Sequence, residues 1–284
     1  MTNLESDVVI FGYGPIVNEI IKRKTDSNQS VICITDNSNI EISKETSLDV
    51  LFINRKQTRE LNINCKNAFF AWRDDSALIS KASNLTEWIH RNLKIDNRSY
   101  LFSSASIYKD SKISLTEHNR NLAADKNLNG KYRLEESLNQ LMLNKGTPQV
   151  NLRISNLYGQ GIKYGFIGSL IDALKKSIPV KVFSNGNFIR DYISFDDFYQ
   201  AISSLCNSEF EHSEINLSTG KGYSVQRVIE IFKQNGFSTN LIEPVLAESS
   251  VRKCSILDNG SLKSIIDWEP KFLEDTVPEL LWHS

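Results

Sequence analysis

Short apolar runs alternate along this chain with stretches in which apolar residues recur at every third or fourth position. Val8 to Phe11 opens the series, followed by Val31-Ile-Cys-Ile-Thr35, Val50-Leu-Phe-Ile53, Tyr100-Leu-Phe102 and Val150-Asn-Leu-Arg-Ile154. Each run is short and rich in β-branched or aromatic residues, the pattern of a buried strand. Between the runs Ile16, Ile20 and Ile21, then Leu85, Trp88 and Ile89, then Leu134, Leu138 and Leu141 repeat with helical period. The alternation predicts an α/β fold, a doubly wound parallel sheet with helices on its faces.

Beyond about residue 160 the pattern changes. Phe166, Leu170, Ile171 and Leu174 mark a helix, Pro179 ends it, and Val180 to Phe183 forms a short strand. Ser224 is a helix cap ahead of Val225, Val228, Ile229 and Phe232. Residues 161–284 are therefore expected to form a smaller substrate-binding lobe, interleaved with a nucleotide-binding domain over 1–160. No repeat or linker-like tract separates the two.

The first strand runs straight into Gly12-Tyr-Gly14-Pro-Ile16-Val17 and then a helix. Backbone N–H groups in such a turn, with the positive end of the helix, can meet a pyrophosphate. Gly12, Gly14 and Ile16 are the expected contacts. Val17 stands where the dinucleotide fingerprint has its third glycine, so the helix must sit further from the strand. A glycine turn that serves only as a tight connection is the alternative. The second strand ends in Thr35-Asp36-Asn37, which places Asp36, with Asn37 beside it, where an adenosine ribose would lie in a dinucleotide fold; an ordinary turn is the competing reading.

Composition adds mainly exclusions. The 284 residues are 40% hydrophobic and 24% charged with a net charge of −1, and no basic block argues for nucleic acid or a membrane surface. The polar N-terminus and the lack of a long apolar run lead us to expect a cytoplasmic protein with no exported or membrane-spanning segment. Cys33, Cys65, Cys206 and Cys254 lie far apart and away from the four histidines, so no metal site is expected.

Longer motifs carry a resemblance. Leu152-Arg-Ile-Ser-Asn-Leu-Tyr-Gly-Gln-Gly161, Phe183-Ser-Asn-Gly-Asn-Phe-Ile-Arg-Asp-Tyr-Ile-Ser-Phe-Asp-Asp197, Asn216-Leu-Ser-Thr-Gly220 and Ile266-Asp-Trp-Glu-Pro270 follow one another in order. They resemble the extended short-chain dehydrogenase/reductase family, the nucleotide-sugar epimerases, dehydratases and 4-keto reductases. The resemblance implies a Rossmann-like fold, NAD as cofactor, a nucleotide-sugar substrate and a homodimer. It further implies that Arg190 binds the nucleotide diphosphate and that Asn156 lies beside the substrate phosphates, roles that suit a guanidinium fork and an amide donor. Without the motif, Arg190 next to Asp191 reads as a surface ion pair.

The catalytic centre departs from that family. Ser103-Ser104-Ala-Ser-Ile-Tyr108 resembles its Ser-Ser-x-x-Val-Tyr-Gly, making Ser104 the catalytic hydroxyl, or else a hydroxyl bonded within a strand-end turn. The family's Tyr-x-x-x-Lys is not reproduced. In Asn129-Gly-Lys-Tyr-Arg-Leu-Glu-Glu136 one register keeps Tyr132 but has Glu136 for the lysine; the other has Arg133 for the lysine and Asn129 for the tyrosine. Positions 129, 132, 133 and 136 share a helical face, so Tyr132 and Arg133 could act as a phenol and cation pair. Two functions follow as expectations: an NAD-dependent epimerase, 4-keto reductase or dehydratase step on a nucleotide-sugar for surface polysaccharide, or a catalytically silent relative that binds nucleotide-sugars or partners an active subunit. Because Asp36 would repel a 2′-phosphate, NAD(H) is expected to bind more tightly than NADP(H). Calorimetry with both dinucleotides checks this, and tighter NADP(H) binding would place Asp36 away from the ribose.

Overall fold

A computed structural model of the chain describes residues 2–35, 50–54, 58, 60–73, 82–118, 130–183, 187–236, 238, 242–245 and 253–282. Its strands are β1 (Thr2–Phe11), β2 (Val31–Thr35), β3 (Val50–Asn54), β4 (Leu61–Phe70), β5 (Leu93–Ser104), β6 (Gln149–Ile154), β7 (Asn156–Tyr158), β8 (Val180–Phe183), β9 (Ile189–Ser194), β10 (Glu214–Leu217), β11 (Gly222–Ser224), β12 (Ile242–Val245) and β13 (Cys254–Ser255). Two compact units emerge. One comprises Met1–Ser103, Asp125–Leu152 and His212–Glu214; the other comprises Ser104–Ala124, Arg153–Glu211 and Ile215–Ser284. Membership follows shared cores rather than a single cut near residue 160, so the segment from Ser104 to Ala124 groups with the later residues.

A seven-stranded sheet has the order β10-β6-β5-β4-β1-β2-β3. Parallel pairing joins β1 to β2 and β4, β2 to β3, and β4 to β5. The expected strands of the first unit are present: Val8 to Phe11 and Val31 to Thr35 are buried throughout, the environment that a continuous apolar run requires, whereas β3 lies at the end of the sheet and Leu51 is exposed rather than covered. The sequence pattern missed β4. Asn62, Asn64, Lys66 and Asn67 interrupt it, yet Ile63 and Cys65 alternate inward and Asn67 finds a side-chain donor in Asn97, at 3.1 Å. Chain order reverses between β1 and β4, and a ligand crevice in an open sheet lies beyond the strand ends at such a reversal.

Three helices named by their periodicity form at Pro15–Asp26, Ala82–Asn92 and Gly130–Lys145. Leu85, Trp88, Ile89, Leu134, Leu138 and Leu141 pack with Val9, Phe11 and Phe70 in one core. Phe11 and Phe70 stack at 4.8 Å between centroids, an arrangement that adds ~0.5–1.5 kcal/mol to their burial.

In the second unit β9 is the organising strand, paired with β11, β13 and, further along, β7. The Val225–Gln234 helix begins as expected, Ser224 Oγ accepting the Arg227 N–H at 3.0 Å. Tyr108 forms a buried hub: its hydroxyl accepts from Arg153 at 3.0 Å and donates to Asn216 Oδ1 at 2.8 Å. Asn216 in turn donates to the Leu115 and Asp258 carbonyls. Tyr108→Phe removes one hydrogen bond from each of two buried partners and is expected to cost ~1–3 kcal/mol, read from urea unfolding midpoints; an unchanged midpoint would show that the hydroxyl is dispensable.

Candidate functional site

Residues 12–14 link β1 to its helix at the reversal point. Gly12 has φ +100°, a conformation that favours glycine, and a Cβ there would sit 3.0 Å from the Ala71 carbonyl oxygen and 3.4 Å from Trp72. Gly14 is extended, and a Cβ on it would meet nothing within 4 Å. The helix has Pro15 at its start and no side-chain cap, so the first-turn N–H groups of Ile16 and Val17 are left to a ligand or solvent. Val17, in place of the third glycine, is buried. Open space over Gly14, an uncapped helix end and close main-chain approach at Gly12 fit a dinucleotide pyrophosphate. Asp36, Asn37 and Asn129 lie outside the described residues.

The Gly130–Lys145 helix reaches the carboxyl ends of β4 and β5. Lys131 Nζ donates to the Trp72 carbonyl at 2.6 Å and to the Phe102 carbonyl at 2.7 Å. One turn on, the carboxylate of Glu135 is buried and accepts the hydroxyl of Ser103, also buried. Lys131 and the glycine turn therefore meet at Trp72. Tyr132 and Arg133 are half-buried, whereas Glu136 is exposed. Neither register of the sequence reading counted Lys131 or Glu135. Their signal was the phase of the buried leucines: 131, 134, 135 and 138 also stand at i, i+3, i+4 and i+7, and Leu134 and Leu138 identify that stripe as the inward one. Ser104 is half-buried at the end of β5, and its Oγ accepts the Ser106 N–H at 3.1 Å.

In the second unit Asn156 and Arg190 are brought to one stretch of β9. Asn156 Nδ2 donates to the Asp191 carbonyl at 2.8 Å. Arg190 is half-buried, donates to the Ile189 carbonyl at 2.8 Å and lies over the Phe188 ring at 5.6 Å. Burial lowers the pKa of its guanidinium, with Tyr192, Asp110 and Cys254 acting in the opposite sense. Asp191 is not the surface ion-pair partner its neighbour suggested. It is fully buried, and its carboxylate accepts from Thr219 N–H (3.0 Å), Thr219 Oγ (2.8 Å) and Gly220 N–H (2.9 Å). The same unit has a cleft of about 300 Å³ lined in part by Lys163, Phe166, Ile178 and Lys181.

A parallel sheet with a glycine turn and an uncapped helix at its reversal point defines a Rossmann-like nucleotide-binding α/β protein. Residues 75–217 match the model of the NAD dependent epimerase/dehydratase family, and the chain belongs to that family. Over 139 residues it is 32% identical to dTDP-4-dehydro-6-deoxyglucose reductase of Escherichia coli, a match covering 41% of this chain and 43% of that one. Over 132 residues it is 29% identical to CDP-abequose synthase of Salmonella typhimurium, covering 43% and 44% respectively. The aligned stretches thus span under half the length of these curated relatives. Similar solved folds include UDP-glucose 4-epimerase of Thermotoga maritima with UDP-glucose (TM-score 0.77, 18% identity, 97% of this chain and 98% of that one). Another is a UDP-glucuronic acid 4-epimerase variant of Bacillus cereus with NAD (0.79, 16%, 97% and 98%). Among the described residues no helix is long and apolar enough to cross a membrane.

Burial pushes the Asp191 carboxyl up to about 6 against hydrogen bonds from Thr219, Gly220 and Leu257. The folded state therefore holds this proton more tightly than an unfolded chain with the ordinary value of 3.8. The stability from this group is fully present below pH 3.8 and is lost as pH rises through about 6. A shift of this size corresponds to ~3 kcal/mol. Wild-type unfolding free energy is expected to fall by about that much relative to Asp191→Asn between pH 4 and 7. Parallel pH profiles for the two proteins would refute it.

Proposed function

We propose that the chain binds NAD(H) in its first unit and a nucleotide-linked sugar in its second, and that it catalyses an epimerase, 4-keto reductase or dehydratase step in making surface polysaccharide sugars, as a cytoplasmic homodimer. The observation that carries this reading is Lys131, an ammonium fixed at the strand ends beside the glycine turn. NAD, when bound, supplies a hydride acceptor or donor. The chain's own residues have separate tasks. Gly12, Gly14 and the first-turn N–H groups of Ile16 and Val17 would hold the pyrophosphate, Asp36 and Asn37 the adenosine ribose, and Lys131 a ribose hydroxyl. Arg190 and Asn156 would hold the sugar-nucleotide phosphates, a fork of N–H donors matched to phosphate oxygens. Ser104 and Tyr132, with Arg133 beside it, would move the proton at the sugar oxygen.

One observation favours a second reading. If Lys131 is the lysine of Tyr-x-x-x-Lys, the tyrosine position falls on Asn127, whose amide does not ionise and cannot act as an acid or base near neutral pH. The chain would then be a catalytically silent nucleotide-sugar-binding or partner subunit. NADH fluorescence titration and turnover on UDP-, GDP-, CDP- and dTDP-sugars separate the two. Under the enzyme reading Tyr132→Phe lowers turnover by roughly 10²- to 10⁴-fold with binding nearly constant. Arg190→Ala weakens nucleotide-sugar binding by about 1.5 to 3 kcal/mol in either case. Binding of NADH and a nucleotide-sugar with no turnover on any of them supports the second reading. A protein that binds no dinucleotide overturns the first.

A further inference from the structure

We infer that Glu135, through Ser103, is a positioning residue for Lys131, and so for the dinucleotide contact assigned to that lysine; the second half of this statement rests on the function proposed above. Four groups meet in a fixed order. Phe102 and Ser103 are consecutive in β5, and Lys131 and Glu135 are one helical turn apart on the helix packed against it. The Phe102 carbonyl accepts from the lysine, and the Ser103 hydroxyl donates to the carboxylate.

The chemistry of the pair is specific. Ser103 and Glu135 are 4% and 2% exposed, so this carboxylate is withdrawn from water at a place where an alanine or leucine would pack at no polar cost. Its bond to Ser103 sets the rotation and height of the first two turns of the helix against β5. A lysine stem has four rotatable bonds and holds one position poorly by itself. With the helix pinned one turn away, Nζ stays within reach of both the Trp72 and Phe102 carbonyls, and Trp72 also borders Gly12. The buried pair thereby ties the helix to the strand end that the glycine turn touches.

The test uses the full chain with ¹⁵N-labelled lysine. The slowly exchanging ammonium signal of Lys131 is assigned by its loss in Lys131→Met, and NADH affinity is followed by nicotinamide fluorescence. Glu135→Gln and Ser103→Ala are expected to shift or abolish that signal, whereas Ser103→Thr, which keeps the hydroxyl, retains it. NADH binding should weaken by about tenfold in Glu135→Gln and no further when Lys131→Met is added, the non-additivity expected of residues that act through one another. An ammonium signal unchanged in both Glu135→Gln and Ser103→Ala overturns the positioning role, and so does additive loss of affinity in the double variant. If the signal responds as expected but no variant nor the wild type binds NADH, the positioning role stands and the dinucleotide assignment fails.

Discussion

Parallel strands that end side by side leave carbonyl groups pointing out of the sheet, and those carbonyls must find donors that are not another strand. At the carboxyl ends of β4 and β5 the Lys131 ammonium donates to both the Trp72 and Phe102 carbonyls. Much of the first unit's candidate site depends on that arrangement. It brings a positive charge to the strand ends, joins the helix to two strands at once, and does so against the residue that also limits the space around Gly12. The Ser103 to Glu135 contact is the next layer of the same solution, a carboxylate and a hydroxyl satisfying one another where neither could reach water.

The second unit meets a similar constraint with the charges reversed. Asp191 is buried at the middle of β9 and is tolerated because protein donors converge on it from Thr219, Gly220 and Leu257. Its burial cost still exceeds what those bonds return, which is why its carboxyl holds a proton unusually well. The arrangement anchors the loop that follows β10 beside Arg190 and Asn156, the two groups whose chemistry suits a phosphate. Arg190 itself is only half-buried and stacked on Phe188, which keeps its planar fork oriented.

Membership of the NAD dependent epimerase/dehydratase family accounts for the scaffold, while the individual chemistry departs from the family's usual residues. Val17 replaces a glycine and is accommodated by burial under its helix. Lys131 stands one position before Tyr132, and the residue four positions ahead of it is an asparagine.

The sequence by itself determined the strands and helices whose burial is periodic, because a side chain's need to leave water is written at fixed spacings of about 2 or 3.6 residues. Five strands, the helices of the first unit, the Ser224 cap and the glycine turn were legible for that reason. It also carried the family, through ordered motifs. It did not reveal β4, whose asparagines are satisfied only by neighbours distant in the chain, such as Asn97. Nor were Lys131 and Glu135, the polar members of the stripe that Leu134 and Leu138 mark as inward, read from the pattern. Only the tertiary structure showed them meeting Phe102 and Ser103 on β5, with Glu136 left in solvent. Asp191 makes the same point: taken without the motif, its neighbour Arg190 suggests a surface pair, but Thr219 and Gly220, which donate to its carboxylate, lie 28 and 29 residues away, a separation that no local pattern encodes.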